Sequence, residues 1–159
     1  MTSIEESITI DAPPSKVWAK LMDLESWAKW NSFVTSIELE PPFDEISVGS
    51  RQKITIQPKT DASGDAESYT NVTTSLIPER ELRWRGKIFA DFVFYTNHWC
   101  LLETREQQSG SEIKTVFSQG EDFGGLLAPM VSITGKMTQL KEGYARMNMD
   151  LKRAVENDI

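Results

Sequence analysis

The sequence predicts an α+β fold in which a curved, seven-stranded antiparallel sheet is closed by one long C-terminal helix over an interior cavity. Three observations carry this. Apolar residues alternate at period two in one segment near the N-terminus and in six more between residues 33 and 121. Two short stretches with helical spacing separate the first strand from the others. One unbroken apolar stripe follows the last strand. A single helix cannot cover both faces of a flat sheet, but a sheet that curls around it buries the stripe and leaves a space between.

The elements follow in order. Residues 3–11 read as a strand with Ile4, Ile8 and Ile10 on one face. Pro13-Pro14 ends it, Ser15 is placed to help open a helix, and Val17, Trp18 and Leu21 recur at helical spacing. Residues 23–31 form a second short helix with Trp27 and Trp30 three apart on one face. Residues 33–40 are a strand stopped by Pro41-Pro42, since proline supplies no ladder donor. The remaining strands are expected at 51–58, 68–77, 81–87, 92–103 and 112–121. The polar run 61–67 and the segment Gln108-Ser109-Gly110-Ser111 read as hairpin turns. Leu126, Met130, Ile133, Met137, Leu140, Tyr144, Met147 and Leu151 are then spaced alternately four and three apart, which predicts one helix of about seven turns or more. Pro129 is tolerated only near its first turn. The stripe also fits a coiled coil, so both a monomer and a homodimer are expected states, with burial on the chain's own sheet favoured.

The chain reads as one domain, residues 1–159, without repeats or linkers. Its 39% hydrophobic and 26% charged content is that of a globular protein rather than a disordered one. The net charge of −7 argues against a nucleic-acid partner and against docking on anionic lipid. Arg80, Arg83, Arg85 and Lys87 alternate along a strand and read as a solvated face. One cysteine excludes an intrachain disulfide. The acidic start lacks a signal-peptide core and no apolar run is long enough to span a membrane, so a cytoplasmic location is expected and membrane insertion is not. Asn71-Val72-Thr73 matches a glycosylation sequon and, without a secretory signal, reads as coincidence. The acidic spacing from Asp61 resembles a calcium loop but has Val72 where the closing Glu belongs. One His and one Cys do not make a zinc site, and no phosphate-binding glycine pattern is present.

Several segments together resemble the START-like (SRPBCC, birch-pollen-allergen-like) superfamily, and within it the polyketide cyclase/dehydrase-type single domains. They are Ile10-Asp11-Ala12-Pro13-Pro14-Ser15-Lys16-Val17-Trp18, then Trp27 and Trp30-Asn31-Ser32-Phe33-Val34, then Leu82-Arg83-Trp84, His98-Trp99-Cys100-Leu101-Leu102-Glu103 and Glu121-Asp122-Phe123-Gly124-Gly125-Leu126-Leu127. The resemblance implies a helix-grip fold and a hydrophobic pocket used for cyclising polyketides, carrying lipids or hormones, or contacting chaperones. It does not by itself fix the chemistry. Two positions depart from the family pattern: Ser32 replaces a proline common after the Trp-Asn pair, and Cys100 replaces an aromatic residue.

His98, the only histidine, shares one strand face with Thr96, Cys100 and Leu102, which the family pattern turns inward. An imidazole exchanges protons near neutral pH, as enolisation, aldol cyclisation and dehydration require. Glu121 ends the adjacent strand and is the candidate partner, as an orienting carboxylate or as a cap near the long helix. Cys100 stands two residues from His98, either as a nucleophile paired with it or as a small apolar residue. Trp30, Asn31, Trp84, Phe117, Phe123, Met130 and Met137 are candidates for the pocket wall, with Asn31 able to hold a substrate carbonyl; each fits ordinary core packing too. The functional expectation is a small hydrophobic ligand in an internal cavity, turned over by cofactor-independent acid/base chemistry with no metal. A non-catalytic lipid or metabolite carrier and a chaperone-regulating interaction module are the alternatives.

Overall fold

Alternating side chains give each strand two faces, and the apolar face sets how the sheet curls. The computed structural model describes residues 2–59, 64–88, 90–106 and 113–158. Its strands are β1 (Thr2–Ile10), β2 (Val34–Leu39), β3 (Arg51–Ile56), β4 (Glu67–Ile77), β5 (Glu81–Ile88), β6 (Phe94–Glu106) and β7 (Ile113–Gly124). They form one antiparallel sheet in the order β1-β7-β6-β5-β4-β3-β2. The six later strands are a simple meander, and β1 joins its far end beside β7. This is the seven-stranded helix-grip arrangement expected from the sequence. The expected turn at 108–111 and residues 61–63 of the run at 61–67 lie outside the described residues.

Between β1 and β2 run α1 (Pro14–Met22), a 3₁₀ turn (Leu24–Ser26) and α2 (Trp27–Trp30). Pro13, not Ser15, caps α1: its carbonyl accepts from the Lys16 and Val17 N–H groups, and Pro14 sits in the first turn, where no N–H is needed. Trp27 is fully buried and its indole N–H donates to the Leu21 carbonyl at 3.0 Å, tying α2 under α1.

The expected single C-terminal helix is two helices, α3 (Ala128–Ile133) and α4 (Lys136–Glu156). Gly135 breaks them with φ at 72°, a conformation open to glycine at no steric cost. The apolar spacing continues across the break, but its environment changes. Leu140, Tyr144, Met147 and Leu151 are buried, whereas Leu126, Met130 and Ile133 are 79%, 55% and 83% exposed. Only the α4 half of the stripe packs against the sheet.

α4 is held at several points along its length. Arg146 donates to the Gln57 carbonyl at 2.7 Å, and Lys152 to the Thr9 carbonyl at 2.8 Å. Asp150 accepts from both the N–H and the hydroxyl of Ser32, at 2.9 and 2.6 Å. This gives the Ser32 departure a physical reason, since a proline there has neither donor. At mid-helix Gly143 faces the buried Phe33 ring, and a Cβ added to it would overlap three ring carbons. Gly143→Ala is therefore expected to destabilise by about 1–2 kcal/mol, overpacking outweighing the gain in helix propensity. Thermal unfolding of Gly143→Ala, Phe33→Leu and the double variant checks this. The double variant is expected to lose less than the sum of the two single losses, and a raised melting temperature in Gly143→Ala would refute the contact.

Candidate functional site

Strand register decides which side chains meet on the concave face. Thr73 of β4, Trp84 of β5, His98 of β6 and Glu121 of β7 are successive cross-strand partners. Two residues along, Asn71, Gly86, Thr96 and Phe123 form a second such row. Over these rows lies α4, separated from the sheet by a cavity of about 300 Å³. Phe33, Val34, Ile54 and Ile56 close the cavity from β2, β3 and the turn before them, and Leu140 and Met147 from α4. Val131 of α3 covers one end. The size is at the lower end for small-molecule sites, and the apolar lining with few polar groups is what such sites require.

The polar groups converge at one wall. The Tyr144 hydroxyl donates to Glu121 Oε2 at 2.8 Å and lies 3.1 Å from His98 Nδ1. On the far side of the imidazole, Nε2 lies 3.4 Å from Cys100 Sγ. With Glu121 ionised, one assignment satisfies the whole chain: Nδ1–H donates to the Tyr144 oxygen and the thiol donates to Nε2. The imidazole is stacked on Trp84, with centroids 4.3 Å apart and planes 16° apart. Near the same wall Lys136, at the start of α4, bonds Glu67, which also accepts from the Tyr69 hydroxyl. Tyr69 and Lys136 line the cavity.

Burial sets the protonation of these groups. It depresses the His98 pKa to about 3, so the ring is neutral at physiological pH. It raises the Glu121 carboxyl above the ordinary carboxylate range, with Asp122 adding to the shift and the Tyr144 and Thr96 hydroxyls and Lys136 opposing it. Burial, followed by the charge of Glu121, raises Tyr144 well above its usual value, so it stays an O–H donor. The Cys100 thiol is likewise pushed up by burial and is not an activated nucleophile. A carboxylate of raised basicity next to a fixed hydroxyl donor, in an apolar cavity, is equipped to take up a proton and stabilise an oxyanion.

Of the wall and proton-transfer residues expected from sequence, Trp84, His98, Glu121 and Phe123 line the cavity. The others lie elsewhere. Trp30 packs on Trp27 with centroids 5.2 Å apart and donates to Ser26 Oγ. Asn31 uses its oxygen to accept from the Phe33 and Val34 N–H groups at 3.0 and 2.8 Å, which shapes the entry to β2, and it is buried away from the cavity lining. Cys100 sits behind the imidazole and Phe117 deeper in the core, both fully buried. Met130 is exposed on α3, and Met137 packs at the core margin with the Ser132 hydroxyl 3.0 Å from its sulfur. The break at Gly135 separates Met130, on α3, from the part of the stripe that α4 buries. Sequence reading missed Tyr144 as a site residue. The available signal was its polar tip in a stripe otherwise made of Leu, Met and Ile.

A family model described as polyketide cyclase/dehydrase and lipid transport matches residues 1–156. Among solved structures, protein TTHA0849 from Thermus thermophilus is 14% identical, with 99% of each chain covered and a TM-score of 0.70. A START superfamily protein from Mycobacterium smegmatis is 10% identical, again with 99% of each chain covered and a TM-score of 0.70. The di-domain ARO/CYC BexL from the BE-7585A biosynthetic pathway is 12% identical with a TM-score of 0.67; 97% of this chain is covered, and it spans about half (47%) of that protein. No curated protein matches the chain.

Proposed function

We propose that this chain, which belongs to the polyketide cyclase/dehydrase and lipid transport family, binds a small, largely apolar, polyketide-like metabolite in its cavity and catalyses its cyclisation or dehydration by acid/base chemistry. The observation that carries the reading is the Tyr144–Glu121 hydrogen bond at the wall of an apolar cavity, with burial raising the basicity of the carboxylate. Glu121 takes a proton from a carbon flanked by carbonyls, and Tyr144, no longer held by a carboxylate, turns its single O–H from Glu121 to the enolate oxygen. The enolate carbon then attacks a second carbonyl, and the proton held by Glu121 passes to the alkoxide so formed. In dehydration the same carboxyl removes the α-proton and returns it to the departing hydroxyl, which leaves as water. His98, neutral and stacked on Trp84, is a positioning residue that fixes the Tyr144 oxygen. The cavity supplies orientation and exclusion of water.

The test uses benzoylacetone, a small diketone, as probe. Wild-type protein is expected to accelerate exchange of its α-hydrogens for deuterium, followed by NMR. Native mass spectrometry with organic extraction of the purified protein is run in parallel. A retained hydrophobic metabolite with no acceleration of exchange would replace the enzyme by a carrier. Neither retention nor exchange would overturn the cavity reading and favour a protein-interaction module.

A further inference from the structure

The second concave row holds a polar group that the acid/base chemistry does not use. Asn71 is only 7% exposed, it lines the cavity, and its amide makes no hydrogen bond to any described residue. Its amide is not among the fully buried unpaired polar atoms of the described residues, so it opens onto the cavity, where a polar group without a protein partner is matched only by whatever fills that space. The wall around it is shaped to admit it. Gly86, its cross-strand partner, has no side chain, and a Cβ there would land on Asn71 Oδ1 and press on the Thr96 hydroxyl. The amide thus lies in a notch that a glycine keeps open. It is a donor and an acceptor that the protein leaves for something else.

Its position gives the chemistry of that partner. Asn71 is on β4 and Glu121 on β7, three strand intervals apart, or about 14 Å of sheet at the usual spacing. Between them β5 and β6 present Gly86, Trp84, Thr96 and His98, and the apolar side chains of Phe123, Leu140 and Met147 also line the cavity. From this we infer that Asn71 is a specificity-determining residue for an elongate, largely apolar ligand that carries a hydrogen-bonding oxygen at each end, one read by Asn71 and the other by the Tyr144–Glu121 pair. The inference rests on the proposed ligand-binding cavity and adds the second oxygen. The burial of Asn71 also removes it from consideration as a glycan acceptor, which has to be exposed.

The test compares 4,4′-dihydroxybiphenyl with 4-hydroxybiphenyl by titration calorimetry. Wild-type protein is expected to bind the diol about tenfold more tightly, the worth of one well-made hydrogen bond. Asn71→Leu is expected to abolish that preference while still binding the mono-phenol; Asn71→Ala serves the same comparison should the leucine variant fail to fold. A merely structural Asn71 would lower both affinities together and leave the preference intact, which would overturn the assignment. Absence of any preference in wild type would overturn it as well while sparing the cavity. Failure of both phenols to bind would instead refute the cavity reading, and this subsite with it.

Discussion

Glu121→Gln is expected to lower any protein-accelerated α-proton exchange at least about 100-fold, the usual contribution of a positioned general base. The same substitution is expected to raise the melting temperature at pH 7.5. Glutamine keeps the oxygen that accepts from Tyr144 but carries no charge, so the cost of burying a carboxylate disappears. The sign follows from the direction of the shift. The folded-state pKa of Glu121 lies above its unfolded value, so the group favours folding fully below the unfolded pKa of about 4.5, and that contribution is lost as pH rises through the folded pKa. The gain in stability from glutamine is therefore expected above that window and to vanish at pH 4. Activity lost and stability gained together mark a group kept for chemistry against the interest of the fold. Loss of both would make Glu121 a structural partner of Tyr144 and no more. Exchange unchanged in the variant would remove it from the reaction.

The strands were legible because alternation is a local property: Ile8 and Ile10, or Ile54 and Ile56, declare their face without knowledge of any partner. Register is not local. His98 and Glu121 were each visible as inward-facing, but their direct opposition depends on how β6 and β7 align, which the sequence of residues 107–112 does not specify. Tyr144 reaches the pair from 46 residues beyond His98 and 23 beyond Glu121 through the docking of α4, and only tertiary structure brings it there. The helix break was hidden for a related reason. The apolar spacing runs through Gly135 unchanged, and spacing does not report a left-handed residue that redirects the chain. Asn71 was masked by its own motif, since Asn-Val-Thr reads as a surface signal whereas the strand turns the asparagine inward.

Acidification offers the other large effect, because His98 is the only histidine and is held neutral by burial. Its pKa falls from 6.5 unfolded to about 3 folded, so between these values the unfolded chain binds the extra proton and stability falls with falling pH. The loss through this one group is about 2 kcal/mol between pH 7 and 5 and about 3 kcal/mol by pH 4. In a domain of this size the larger figure corresponds to roughly 6–12 °C in melting temperature. Other groups titrate nearby. Asp11, Glu67, Glu81, Glu156 and Asp158 have lowered pKa values through their lysine, arginine and hydroxyl partners, and they lose those contributions only below their unfolded range, near pH 4. Glu121 acts with the opposite sign, partly offsetting His98 in the window above pH 4.5. Between pH 7 and 5 His98 and Glu121 thus act in opposite directions while the paired carboxylates stay silent, and Glu121→Gln is expected to steepen the decline there. His98→Phe keeps a ring against Trp84 and leaves Tyr144 donating to Glu121, so its stability is expected not to fall from pH 7 to 5. Melting curves of the three proteins across this interval decide the matter. A wild-type curve as flat as that of His98→Phe would mean that the imidazole is protonated without cost, and it would return His98 from positioning Tyr144 to carrying the proton itself.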